Sequence, residues 1–74
     1  MKRQWSNMTY DSDQNRWTVD AGGMRYGLHC GECFDLSIAS LRIPSRIEYD
    51  RQWYLIMPGA RFNLRIRDSY KVEI

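Results

Sequence analysis

The stretch His29-Cys30-Gly31-Glu32-Cys33 places the only histidine and both cysteines of the chain within five positions. Thiolate and imidazole are the donors that a structural zinc prefers. A Cys-x-x-Cys with glycine inside lets two thiolates reach one ion while backbone amides point at sulfur. The donor set is short, however. Cys30, Cys33 and His29 make three ligands where a structural zinc wants four, so Glu32, Asp20 or a second chain would have to supply the last. His29 is also adjacent to Cys30, and both could bind one ion only on an irregular backbone. Two other readings stay open. A redox pair of the thioredoxin type needs a helix N-terminus to lower the thiol pKa, whereas Cys33 is followed by a strand pattern. The remaining reading is a tight turn in which the cysteines act as small buried hydrophobes.

A second group of residues suits recognition rather than reaction. Arg61, Asn63, Arg65 and Arg67 fall on one face of a predicted strand, opposite Phe62, Leu64 and Ile66. Arg42 and Arg46 share a face of the strand region before it. With Tyr49, Trp53 and Tyr54 nearby, such a face could track a nucleic-acid backbone and stack its bases, or meet an acidic protein surface. Arginine stems covering the solvent side of a barrel account for the same residues without any partner. The charge balance fits either reading. Net charge is +2, with four basic and five acidic residues in 1–40 and seven basic and four acidic in 41–74. Nine of the eleven cations are arginine, whose planar fork suits carboxylate and phosphate.

Catalysis finds little support. His29 is the only histidine, no serine sits in a nucleophile elbow, and the glycines lack phosphate-loop spacing. Asp11 and Asp13 fall in a hairpin loop, where solvated turn chemistry explains them. The chain is expected not to be an enzyme.

The elements that must position these residues are strands. Period-two alternation runs almost throughout. Met8 and Tyr10 lead into a polar loop, and Trp17 and Val19 return from it. MRYGLHCGEC, from Met24, reads as a connector. Phe34, Leu36 and Ile38 alternate; so do Ile43, Ile47 and Tyr49, with Pro44 suggesting an edge position. Trp53, Leu55 and Met57 precede Pro58-Gly59, then Phe62, Leu64 and Ile66 alternate, and Tyr70, Val72 and Ile74 close the chain. An echo, GECFDLSI from Gly31 and GARFNLRI from Gly59, reflects either a common strand grammar or a duplicated half-barrel. The fold class expected for residues 1–74 is mainly β: one small barrel or strongly coiled antiparallel sheet of about six short strands, SH3-like or OB-like in outline. No apolar run approaches the roughly 18 residues that would span a bilayer. The start MKRQWSNMTYD, with its basic pair, does not read as a secretory signal, so a cytoplasmic setting with reduced thiols is expected.

The block YGLHCGECF (Tyr26 to Phe34), followed by RIEYDRQWYLIMPG (Arg46 to Gly59), resembles a family of short proteins carried by phages and mobile elements of Gram-positive bacteria. The resemblance extends from about Trp17 to Ile66. It implies no activity and brings no catalytic residues. It does imply a setting, because small proteins of that origin are often inhibitors of host defence, anti-CRISPR proteins among them. Such inhibitors usually occupy a surface of a nuclease complex. The expected function is therefore a non-enzymatic inhibitor, zinc-stapled or not, that blocks nucleic-acid loading or a conformational step in the host cell. The alternative is a small nucleic-acid-binding barrel acting as a phage regulator or accessory protein.

Overall fold

Alternating side chains carry the chain through eight strands: β1 (Ser6–Asp11), β2 (Arg16–Ala21), β3 (Met24–Gly27), β4 (Cys33–Ile38), β5 (Leu41–Tyr49), β6 (Trp53–Met57), β7 (Ala60–Asn63) and β8 (Tyr70–Glu73). The computed structural model describes residues 5–74, so the basic pair Lys2-Arg3 lies outside the described residues. All pairings are antiparallel, and the strand order is β3-β2-β1-β8-β4-β5-β6-β7. The last strand is thus inserted between the two meanders β1–β3 and β4–β7. The fold is mainly β, as expected, with eight strands among the described residues rather than about six.

Side chains of one parity form the core. Met8, Trp17, Val19, Phe34, Leu36, Ile47, Leu55 and Val72 are all buried, and all lie on the same face of the coiled sheet. Tyr70 ties the ends together: its ring stands 5.7 Å from both Trp17 on β2 and Phe62 on β7. An edge strand therefore curls over β8, which is how one sheet encloses its own core.

Several elements differ from the sequence reading. Met24–Gly27 is a strand, not part of a connector. It alternates only weakly because it is an edge strand, with Met24 and Tyr26 left exposed. Pro44 sits in a strand paired on both sides, yet β6 begins its register with β5 only at Arg46. Pro44 therefore extends beyond β6 and removes no ladder bond there. The strand predicted through Arg67 ends at Asn63. Asp68 N–H donates to Arg65 O at 3.0 Å, making a turn that leaves Ile66 64% exposed.

The internal echo also has a different period. The β2–β3 and β6–β7 hairpins match 36 positions apart: Trp17 with Trp53, Val19 with Leu55, Gly23 with Gly59, Arg25 with Arg61, Tyr26 with Phe62, Leu28 with Leu64. Their registers agree, since Val19 faces Tyr26 and Leu55 faces Phe62. Each tryptophan also faces a tyrosine of the strand before it, Tyr10 for Trp17 and Tyr49 for Trp53. The 28-residue echo instead relates β4, in the middle of the sheet, to β7 at its edge. What those segments share is strand grammar, a positive-φ glycine (Gly31, φ 93°; Gly59, φ 72°) before an alternating run. At Gly31 the conformation is required by a tight turn, and Gly31→Ala is expected to cost about 1–3 kcal/mol in urea unfolding. An unchanged midpoint would mean that the turn relaxes to negative φ.

Candidate functional site

The HCGEC stretch is a turn braced from three directions. Glu32 N–H donates to His29 O at 3.2 Å, and the Glu32 carboxylate accepts the His29 backbone N–H at 2.7 Å. Gly31 N–H donates to Ile47 O at 2.8 Å and Ile47 N–H returns to Glu32 O at 3.0 Å, which fastens the turn to β5. Cys30 and Cys33 are free thiols, and both are exposed, so they are not the small buried hydrophobes considered above. Among the described residues no group of three or more His, Cys, Asp or Glu side chains is disposed to hold one metal ion. Glu32 is spent on closing its own turn. A zinc ion on Cys30 and Cys33 would need donors from a second chain. With exposed thiols and an internally bonded turn, Cys30→Ser is expected to change stability by less than about 0.5 kcal/mol. A chelator is expected to leave the melting point unmoved if no metal is bound by one chain alone; a drop of many degrees would show a zinc staple.

The outer face of the sheet gathers most of the predicted arginines. Side chains of the parity opposite to the core form a row across four strands: Cys33 on β4 faces Arg46 on β5, Arg46 faces Ile56 on β6, and Ile56 faces Arg61 on β7. A second row runs from Glu48 through Tyr54 to Asn63. Beside them lies a groove of about 660 Å³, floored by Cys33, Asp35, Pro44, Arg46, Ile56 and Pro58.

The arginines have unlike surroundings. Arg42 is engaged within the molecule: its Nη1 binds Asp35 at 3.0 Å and also binds the buried Glu73, while its guanidinium lies 4.8 Å from the Trp5 ring. The hydrogen bonds to Glu73 and then Asp35 hold its proton more firmly than usual. Arg46 pairs with Glu48 at 2.9 Å. Arg61 has no acid. Its guanidinium carbon lies over the Tyr54 ring, 3.7 Å from the centroid, and the residue is exposed to solvent. Arg65 and Arg67 stand in the turn after β7, not on its face, and are exposed. Arg65 N–H donates to the Tyr70 hydroxyl at 3.0 Å, fixing the turn against the core. The structure therefore brings together Arg46, Arg61 and Asn63, sets Arg65 and Arg67 at their end, and withdraws Arg42 into an ion-paired cluster. The sequence reading named Tyr54 as an aromatic near the arginine face, and the structure sets it under Arg61. It missed Asp35, which reaches Arg42 diagonally across the β4–β5 hairpin, and Glu73, which becomes a neighbour only through the β4–β8 pairing.

Three comparisons bear on this geometry. A family model described as a domain of unknown function, DUF5348, matches residues 6–74. The fold is similar to a crystal structure of a protein from Ruminococcus gnavus, at 32% identity and a TM-score of 0.77 over 96% of this chain and 100% of that one. Among curated proteins no relative matches.

Proposed function

This chain belongs to the DUF5348 family of domains of unknown function, and we propose that it is a non-catalytic protein-binding module that inhibits a host defence nuclease complex. The observation that carries the binding face is Arg61, set over the Tyr54 ring with no acidic partner among the described residues and opposite Ile56, which lines an open groove. A planar cation on an aromatic platform is a common anchor in protein interfaces. The groove beside it is apolar, with a few polar groups to set orientation. The face is also of mixed sign: Asp35, Glu48 and Glu73 stand among its arginines. That mixture favours a protein surface over a phosphate backbone, which those carboxylates would repel. The class of partner comes from the resemblance of the YGLHCGECF block to phage and mobile-element proteins.

The test is a cleavage assay with a purified guide-RNA nuclease of a Gram-positive host. Stoichiometric amounts of the chain are expected to stop cleavage, while a gel shift at physiological salt shows no binding to DNA alone. Tight DNA binding with a steep salt slope would instead support the nucleic-acid-binding barrel, since each phosphate contact releases a counterion.

A further inference from the structure

The two halves of the 36-residue repeat have diverged at their free edges. Leu28 N–H donates to Trp17 O at 2.8 Å and Leu64 N–H to Trp53 O at 3.1 Å, which fixes the bonded parity of each terminal hairpin. Antiparallel ladders alternate. Hence Arg25 and Gly27 on β3, and Arg61 and Asn63 on β7, turn their N–H and C=O groups away from the sheet. On β3 the face at Gly27 is covered and the charge of Arg25 is met. The Arg16 stem crosses Gly27 so closely that a Cβ there would stand 2.8 Å from Arg16 Cδ, and Arg16 Nη1 donates to Leu28 O at 3.1 Å. Arg25 is paired with Asp20 at 3.1 Å. In the other half, Gln52 stands where Arg16 does, Ile56 where Asp20 does, and Asn63 where Gly27 does. Beside β7, therefore, neither the arginine stem nor the counter-charge stands at the corresponding position. Among the described residues Arg61, Arg65 and Arg67 form no ion pair.

We propose that the β7 edge accepts an extended acidic segment of a partner protein as an added strand. This rests on the reading above that the arginine face docks a protein. The added segment would bond to the backbone of Arg61 and Asn63. Its alternate side chains would fall on the outer face, where carboxylates meet Arg61 and, just past the strand, Arg65 and Arg67. The Arg65 N–H is already given to Tyr70, so the ladder stops there and the segment is short. A second copy of this chain is a poor occupant, because antiparallel self-pairing would crowd six arginines of one sign together. The same arginines protect an open edge from aggregation while leaving it available to an acidic strand.

The experiment is amide hydrogen exchange of the intact chain by NMR, with a blocked peptide of alternating glutamate and valine about seven residues long. Without peptide, the Arg61 and Asn63 amides exchange freely while those of Phe62 and Leu64 are protected. With peptide, Arg61 and Asn63 slow by about tenfold or more, Arg25 and Gly27 do not change, and a lysine–valine peptide has no effect. Asn63→Pro removes a donor that no group in the sheet uses and is expected to weaken the peptide at least about tenfold. Should that variant not fold, the exchange measurement on the unaltered chain still decides. No slowing at millimolar peptide overturns the proposal. So does protection of Arg61 and Asn63 by DNA, or by a dimer seen in sedimentation without peptide. If strand addition fails while Arg61→Glu with Arg65→Glu still abolishes nuclease inhibition, only this proposal falls. If that reversal also leaves inhibition intact, the docking face falls with it.

Discussion

Trp17→Ala is expected to remove about half of the chain's folding free energy. Trp17 is the largest fully buried side chain, 0% exposed, and it packs against Tyr10 at 5.6 Å and Tyr70 at 5.7 Å. Those contacts join β2 to β1 and to β8, so the cavity would open where the two meanders meet the last strand. Removing a buried tryptophan costs about 3–5 kcal/mol, and a domain of this length holds on the order of 5–10 kcal/mol in all. Trp17→Phe is expected to cost much less, about 1–2 kcal/mol. It keeps a ring in place and discards an indole N–H that finds no acceptor among the described residues. Trp53 holds the equivalent place in the repeat but is only half-buried, so Trp53→Ala should cost less than Trp17→Ala. Urea unfolding of the three variants checks the order. Equal losses at the two tryptophans would contradict a core centred on Trp17.

Arg61→Glu combined with Arg65→Glu is expected to abolish nuclease inhibition while the fold persists. Both side chains are exposed, and neither has an acid to lose among the described residues. The stability cost is the stacking of Arg61 on Tyr54, about 0.5–1 kcal/mol at an exposed site. Across an interface, reversing two charges sets like against like at a cost of several kcal/mol, roughly a hundredfold or more in affinity. Arg25→Glu serves as the control from the other half of the repeat, expected to leave inhibition unchanged. Arg42→Glu is unsuitable, since it would place a third carboxylate against Asp35 and Glu73 and disturb the fold itself. A folded double variant that inhibits as well as the parent chain would sink the arginine face as the docking surface.

The strands themselves were legible because alternation is a local property. Met8, Trp17, Val19, Leu36, Ile47, Leu55 and Val72 lie on the buried face that their spacing predicts. β3 was missed because an edge strand buries little and so shows little contrast between its two faces. The strand drawn through Arg67 was too long for a related reason. Leu64 and Ile66 keep the period of a strand, but Leu64 turns into the core while Ile66 rides on a turn. The site was half legible. Alternation placed Arg46, Arg61 and Asn63 on one outer face, while nothing in the spacing told a locked arginine from an open one.

By itself, then, the sequence determined the strand class, most of the buried face, the turns at residues 11–15, Gly22-Gly23 and Pro58-Gly59, and that no long apolar helix interrupts the strands. Each of these depends on neighbours a few positions away. Tertiary structure decided everything that depends on pairing across the chain. The insertion of β8 between β1 and β4 brings Glu73 beside Asp35 and so captures Arg42. The anchoring of Gly31 and Glu32 to Ile47 turns HCGEC into a braced loop with two outward thiols. Likewise, the registers of the two terminal hairpins set Asp20 beside Arg25 and Ile56 beside Arg61. A side chain's charge is written in the sequence, but its counter-charge is chosen by strand register, which only the closed sheet defines.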